Sequence, residues 1–191
     1  MREIGPVIRL QVQRTTLKTG EKPNRRYDPA PLQAVDRMAV SPDGVMGFQN
    51  GGWLVDVHHR AHPATKNEDG LHGVSFGFTH HYARMRERFG PRMVVGCAGE
   101  NIIVETDRTL AWEDVRRGTA VLDRSGRELV RLEVLQPAHP CRPFTGWALG
   151  GRVEAEVLKE HLQFLDDGTR GFYARGMGAG EISVGDLLVA L

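Results

Sequence analysis

The chain ends in the stretch ISVGDLLVAL, residues 182–191, in which a glycine turn leads into an apolar run. A similar unit occurs in WEDVRRGTAVL, residues 112–122, where Gly118 stands just before the apolar residues 120–122. Aliphatic runs that follow glycine turns are typical of β-strands. Two such turn–strand units, together with several other short strands, predict a closed or nearly closed β-barrel.

The remaining strands are predicted from alternating runs and from short apolar runs. This alternation is clear over residues 6–13, which indicates a strand with one buried face. Further strands are expected at 34–40, 53–57, 102–104, 128–135 and 170–175. The last of these is expected to carry two outward-pointing arginines, Arg170 and Arg175.

Two segments have the apolar stripe of a helix. The first covers residues 79–89, with Thr79 placed to cap it and Gly90 placed to end it. The second covers residues 152–165, with Gly168 placed to end it. The predicted fold class is therefore mainly β, with peripheral α-helices.

Length and composition limit the class of protein. With 191 residues, of which 40% are hydrophobic and 26% charged, the chain is expected to form one domain over residues 1–191. A net charge of +1 gives no reason to expect a nucleic-acid partner. No apolar run approaches a membrane span, and the amino terminus lacks a signal-peptide core. Two cysteines fit a reducing compartment, so a cytoplasmic protein without membrane partners is expected.

The segment over residues 16–31 is polar and is predicted to be a long exposed loop. It carries the cations Lys18, Lys22, Arg25 and Arg26. Four charges in a loop usually form a solvated surface. The functional alternative is a mobile arm that meets an anionic ligand.

One of the two cysteines lies in LQPAHPCRPF, residues 135–144, among three prolines. Proline fixes φ and removes a backbone donor, so this segment is predicted to be a stiff loop. Cys141 has His139 two residues before it and Arg142 directly after it. A thiol beside a cation and an imidazole favours the thiolate, which is the form that attacks electrophiles and binds metals. The alternative is that Cys141 is a small buried apolar residue.

Histidines follow the strand predicted at 53–57, which delivers Asp56 and His58 to its far end. His58 and His62 are four residues apart, as on one face of a helix, but Pro63 argues against a helix there. A zinc site built on His58, His59 and His62, and with it a metal-dependent hydrolase, is therefore the weakest hypothesis. A polar histidine that hydrogen-bonds a ligand is favoured instead.

Four landmarks in one order resemble the MOSC domain, the module named after the carboxy-terminal part of molybdenum-cofactor sulfurases. They are Gly99-Glu100-Asn101-Ile102, Pro140-Cys141-Arg142, Arg170-Gly171-Phe172-Tyr173-Ala174, and Val184-Gly185-Asp186 before a terminal apolar strand. The small stand-alone bacterial members are the most similar. The resemblance implies a β-barrel similar to the barrel domain of pyruvate kinase.

The resemblance also implies a role for Cys141, and the chemistry of other residues suggests supporting roles around it. The functional cysteine falls on Cys141, which would bind molybdenum of the pyranopterin cofactor, as in related amidoxime-reducing enzymes. In sulfurases the same cysteine has been proposed to carry sulfur as a persulfide. The supporting roles are a phosphate contact for Arg142, proton transfer for His139, pterin contacts for Glu100 and Asn101, positive charge from Arg170 and Arg175, and cofactor binding by His58.

The resemblance is weakest in the first half of the chain. Family members often carry Gly-Asp-Arg-His there, and the counterpart Asp56-Val57-His58 lacks the glycine. The favoured function is a molybdenum-cofactor protein that reduces N-hydroxylated compounds; the alternative is a sulfur carrier. Either needs a separate protein, a reductase or a pyridoxal-phosphate-dependent desulfurase. Cys97 is expected to be a small buried residue, with a resolving disulfide to Cys141 as the alternative.

Overall fold

The computed structural model describes residues 1–151, 153–166 and 168–191 of the chain. The strands in these residues are β1 (Arg2–Gln13), β2 (Lys18–Thr19), β3 (Arg26–Tyr27), β4 (Leu32–Val35), β5 (Arg37–Ser41), β6 (Gly44–Gln49), β7 (Gly52–Val55), β8 (Val74–Phe78), β9 (Ile102–Val104), β10 (Thr119–Leu122), β11 (Glu128–Pro137), β12 (Phe172–Gly176), β13 (Gly180–Ser183) and β14 (Leu187–Ala190). The helices in the same residues are α1 (Thr79–Phe89), α2 (Trp112–Val115), α3 (Arg142–Ala148) and α4 (Ala155–Asp166).

The largest sheet closes on itself. Strands β14, β10, β11, β12, β8, β9 and β1 follow one another in this order, and β1 pairs again with β14. The closing pair is antiparallel and runs from Arg2 opposite Ala190 to Pro6 opposite Leu187. Large buried side chains such as Leu10, Phe76 and Phe172 fill the interior. The predicted mainly β fold, with a closed barrel and peripheral helices, is confirmed.

A second sheet, in the order β13-β5-β6-β7, packs beside the barrel. The prediction of a single strand over residues 34–40 is wrong, because this segment forms two strands that belong to different sheets. β4 pairs with β1 in the barrel, and β5 pairs with β6 and β13. The break is at Asp36, whose backbone N–H donates to the carbonyl oxygen of Phe48 at 3.0 Å.

The helix predicted at residues 79–89 has the predicted bounds, but its start differs from expectation. Phe78 is the N-cap residue and makes no side-chain cap. The hydroxyl of Thr79 instead donates to the carbonyl of Thr106 and accepts its N–H. The predicted start of the second long helix, residue 152, lies outside the described residues, and α4 begins at Ala155. In the described part of the chain, no helix is long and apolar enough to cross a membrane.

The proline-rich segment around Cys141 is more regular than predicted. β11 continues to Pro137, and α3 begins at Arg142, so only residues 138–141 are irregular. Pro143 lies in the first turn of α3, where the missing N–H costs no helical hydrogen bond. The predicted stiff loop is therefore a short connection that ends at a helix. The expectation of one domain over 1–191 stays a prediction.

Replacing Gly171 by alanine should lower the free energy of unfolding by about 3 kcal/mol. Gly171 has φ +79°, and a Cβ there would lie 2.2 Å from the carbonyl oxygen of Phe76. Urea denaturation measures the effect. Gly178→Ala is the matched control, because a Cβ at Gly178 meets no atom of the described chain within 4 Å. Equal denaturation midpoints for the two variants would contradict this account of the turn.

His81, on the inner face of α1, should make stability depend on pH. Its side chain is buried, and Nε2 accepts the N–H of Leu110 at 3.1 Å. Burial, followed by the nearby charge of Arg84, lowers the pKa of His81 to about 4. In the unfolded chain an imidazole binds a proton near pH 6.5. The unfolded state therefore binds more protons between these values, and stability should fall by up to about 3 kcal/mol as pH drops from about 6.5 to 4.

His81→Gln is the variant that isolates this effect, since glutamine keeps an acceptor for Leu110 and does not titrate. The free energy of unfolding of both proteins is measured from pH 4 to 7. We expect the difference in the free energy of unfolding between the two proteins to change steadily from about pH 6.5 to 4. A difference that is constant with pH would show that His81 does not titrate as its burial requires.

Candidate functional site

A cavity of ≈ 370 Å³ contains Cys141 in its wall, and we call it the Cys141 cavity. It lies where β1 ends and where β8 and β9 begin, and its lining there consists of Gln13, Ser75 and residues 98–100. The rest of the lining comes from the β2–β3 hairpin and the two residues before it, the loop after β7, the loop after β11, and β12 with the residue Arg170 before it. These lining residues are Thr16, Leu17, Lys18, Arg25, Tyr27, Val57, His58, Ala64, Lys66, Ala138, His139, Cys141, Arg170 and Tyr173.

Cys141 is held at the start of α3. Its carbonyl oxygen accepts the N–H of Thr145 at 3.0 Å and the hydroxyl of the same residue at 3.1 Å. Its side chain is partly buried and lines the cavity. It also packs against an apolar cluster that includes Tyr82, Met85 and Phe144. The interpretation of Cys141 as a fully buried apolar residue is therefore not supported.

Arg170 is oriented differently from the sequence-based expectation. The side chain was expected to point outward from a strand, but only 9% of the residue is exposed. Its guanidinium donates to the carbonyl of Ala98 at 2.7 Å, and its carbon atom Cζ lies 3.8 Å from the ring centroid of Phe144. Nε has no hydrogen-bond partner among the described residues. The cause is the left-handed turn at Gly171, which places Arg170 before β12 and directs it inward.

Glu100 is the acidic residue in the cavity wall, and it is almost fully buried. Its Oε2 accepts the hydroxyl hydrogen of Tyr82, whose oxygen in turn accepts the N–H of Ala98 at 3.1 Å. Burial raises the pKa of Glu100, while the charge of Arg170 and the bond from Tyr82 act in the opposite direction. Glu100 is thereby fixed in position and available to accept or donate a hydrogen bond in the cavity.

The β2–β3 hairpin contributes cations to the same cavity. Lys18 and Arg25 line it, and Nε of Arg25 is buried without a partner among the described residues. Tyr27 anchors the hairpin by donating its hydroxyl to the carbonyl of Cys97 at 2.7 Å. Lys22 and Arg26 are exposed, as the solvated-surface interpretation expects. With Lys66 and Arg170, the hairpin makes the wall predominantly positive, which suits an anionic ligand.

The other predicted site residues are divided between the cavity and its surroundings. His139 lines the cavity, is exposed, and its Nδ1 lies 2.8 Å from Asp166 Oδ1 at the end of α4. Asn101 is buried behind the wall. Arg142 is exposed, and Arg175 forms an ion pair with Glu133 at 2.6 Å; both lie outside the residues that line the cavity.

His58 also lines the cavity, and the carboxylate of Asp56 holds its imidazole ring. The sequence analysis predicted that Asp56 lies near His58 but assigned no role to Asp56. Nδ1 of His58 lies 3.0 Å from Oδ1 of Asp56. Asn101 donates its amide to the other oxygen of Asp56 at 3.0 Å. The pattern Asp-x-His at the end of a strand was the signal for this pair, because it brings the two side chains to one point.

Cys97, His59 and His62 lie outside the residues that line the cavity. Burial, with Glu100 nearby, raises the pKa of the Cys97 thiol to about 12, so it stays protonated, and it forms no disulfide in the described structure. His59 and His62 each accept a backbone N–H, from Ala61 and Ala64, at 3.1 Å. Within residues 1–151, 153–166 and 168–191, no group of three His, Cys, Asp or Glu side chains is arranged to hold a metal ion.

Comparison with known proteins agrees with the fold. The chain is similar to the YuaD protein of Bacillus subtilis, with a TM-score of 0.60 and 11% identity over 98% of this chain and 96% of that one. It is also similar to YiiM of Geobacillus stearothermophilus, with a TM-score of 0.55 and 20% identity over 97% and 74% of the two chains. At these identities the likeness concerns the fold alone. No curated protein matches the chain.

The family model of the MOSC domain matches residues 73–189, which include Glu100, Cys141 and Arg170. This match covers more than half of the chain, and it agrees with the closed barrel and with the order of the sequence landmarks. The protein is a member of the MOSC domain family.

Proposed function

We propose that the protein binds a molybdenum cofactor, with Cys141 as thiolate ligand to the metal, and that it serves in the reduction of N-hydroxylated compounds. The observation that carries this proposal is the position of Cys141 in a cavity walled by Lys18, Arg25, Lys66 and Arg170. A soft thiolate next to clustered cations matches a ligand that combines a soft metal with an anionic tail.

The residues present fit such a ligand. The cavity volume of ≈ 370 Å³ is in the range of small-molecule sites. The Nε atoms of Arg25 and Arg170 are buried donors without partners among the described residues, and an anionic group would satisfy them. Family membership adds that the MOSC domain is associated with this cofactor.

The proposal gives a task to Cys141, Arg25, Arg170, Glu100 and His139. Cys141 would hold the metal, and Arg25 and Arg170 would neutralise the anionic part. Glu100, which Tyr82 fixes in position, would accept a hydrogen bond from the ring system of the ligand. When bound, the cofactor supplies the two-electron redox chemistry. His139 exchanges protons at the exposed side, while the roles of Asn101, Arg142 and Arg175 in cofactor binding stay predictions.

The alternative function is that of a sulfur carrier with a persulfide on Cys141. Its support is that Cys141 is a free, partly exposed cysteine, which a partner desulfurase could reach. The cationic wall would stabilise the terminal sulfur anion of a persulfide. In this case the cavity would hold the transferred sulfur, and Cys97, buried and protonated, would take no part.

Elemental analysis of protein made in a host that produces the cofactor distinguishes these functions. We expect molybdenum at close to one atom per chain and no persulfide. Protein without molybdenum that gains one sulfur atom at Cys141 after incubation with a desulfurase, detected by mass spectrometry, would favour the carrier. Protein that acquires neither would overturn both proposals.

A further inference from the structure

His58 lies at the junction of the Cys141 cavity with a second cavity. The second cavity has a volume of ≈ 220 Å³, and we call it the His72 cavity. His58, Lys66 and Tyr173 line both cavities, so the two are adjacent. A side chain at this junction can contact a molecule that lies in the His72 cavity next to a ligand held at Cys141.

The carboxylate of Asp56, which is fully buried, fixes the orientation of His58. Oδ1 of Asp56 accepts the backbone N–H of His58 at 2.8 Å and lies 3.0 Å from its Nδ1. Oδ2 accepts the backbone N–H of Gln13 at 2.6 Å and the amide of Asn101 at 3.0 Å. These donors occupy both oxygens, so the carboxylate position is determined by the barrel itself.

This arrangement determines which imidazole nitrogen carries the hydrogen. An ionised carboxylate only accepts hydrogen bonds, so Nδ1 of His58 must donate to Asp56. In the neutral imidazole, Nε2 then has no hydrogen and its lone pair is available to a ligand. His59 and His62 are the reverse case, because their Nδ1 atoms accept backbone N–H groups.

We propose that His58 is a general acid–base catalyst at this junction and that Asp56 is its positioning residue. The inference rests on the proposed reduction of N-hydroxylated compounds. In that reaction the N–O bond breaks, a reduced redox protein supplies two electrons, and the oxygen leaves as water. The imidazolium of His58 donates its Nε2 proton to the departing oxygen, solvent supplies the second proton to nitrogen, and solvent then reprotonates His58.

Other titratable groups face the same space. Lys66 comes from the loop after β7, His72 from the segment before β8, and Tyr173 from β12. Farther into the Cys141 cavity the wall contains Lys18, Arg25, Tyr27, Glu100, His139, Cys141 and Arg170.

Nitrogen-15 NMR of the imidazole rings tests the positioning by Asp56 without any cofactor. At about pH 9, where imidazoles are neutral, we expect hydrogen on Nδ1 of His58. We expect hydrogen on Nε2 of His59 and His62 in the same spectrum. His58→Gln identifies the His58 signals by removing them. Hydrogen on Nε2 of His58 would overturn the inference.

Turnover of molybdenum-loaded protein tests the catalytic role. His58→Gln should lower kcat by about 10²–10⁴-fold with little change in KM. The residue is partly exposed, so the variant should fold, and His62→Gln is the matched control that should retain activity. Full turnover of the loaded His58→Gln variant would overturn this inference and leave the proposed function standing. Wild-type protein without molybdenum would overturn the proposed function itself.

Discussion

Replacing Cys141 by alanine should abolish cofactor-dependent turnover and lower the molybdenum content at least about 100-fold. Changes in residues that merely support a metal ligand already cost 10–100-fold, so loss of the ligand itself should cost more. The free energy of unfolding should change by less than about 1 kcal/mol, because the thiol is partly buried and faces a cavity. Metal analysis and urea denaturation of the same samples measure both effects.

Cys97→Ala is the matched control for this variant. Cys97 is buried at 4% exposure, so its replacement should cost about 1 kcal/mol of stability. It should leave the molybdenum content close to that of the wild type. The opposite pattern, with an unstable Cys141→Ala variant in a protein that never binds molybdenum, would show that Cys141 has a structural role.

Arg170→Gln should combine loss of ligand with loss of stability. The variant loses the bond to Ala98, the contact with Phe144 and the positive charge facing Glu100. We expect the free energy of unfolding to fall by about 3 kcal/mol, as for other buried charges that lose a partner. Because Nε of Arg170 is a buried donor without a partner among the described residues, molybdenum content should also fall by about 10-fold or more.

Two comparisons separate the contributions of Arg170. Arg170→Lys keeps the charge but lacks the planar group that lies on Phe144, so it should recover only part of the molybdenum content. Arg175→Gln removes an arginine five residues later that forms a partly exposed ion pair with Glu133, and should cost less than about 1 kcal/mol. Equal destabilisation by Arg170→Gln and Arg175→Gln would contradict the buried position assigned to Arg170.

The barrel could be predicted from the sequence because its signals are local. A glycine turn followed by an aliphatic run appears as β14 and β10, and alternation appears as β1. The strand break at Asp36 differs from the prediction, although two consecutive polar residues, Asp36 and Arg37, interrupt the alternation at the point where the pairing partner changes from β1 to β6. Helix α3 replaces part of the predicted loop because Pro143 lies in the first helical turn, where proline is tolerated.

Five residues that the sequence singled out line one cavity, but their arrangement was much less predictable: Glu100, Cys141, His139, His58 and Arg170. The position of Cys141 in a cavity agrees with its unusual sequence context. The inward direction of Arg170 depends on the positive φ of Gly171, which the sequence pattern does not report. Likewise, nothing in the sequence distinguishes Lys18 and Arg25 from other exposed cations. They line the cavity in the structure because Tyr27 anchors the β2–β3 hairpin beside it.

The central claim is that the sulfur of Cys141 binds molybdenum directly. It can be tested with selenium in place of the sulfur of Cys141, in a Cys97→Ala background that leaves no other cysteine in the sequence. X-ray absorption at the molybdenum edge of this protein, loaded in a cofactor-producing host, should show selenium in the first coordination shell of the metal. A molybdenum spectrum without selenium in that shell would contradict the claim.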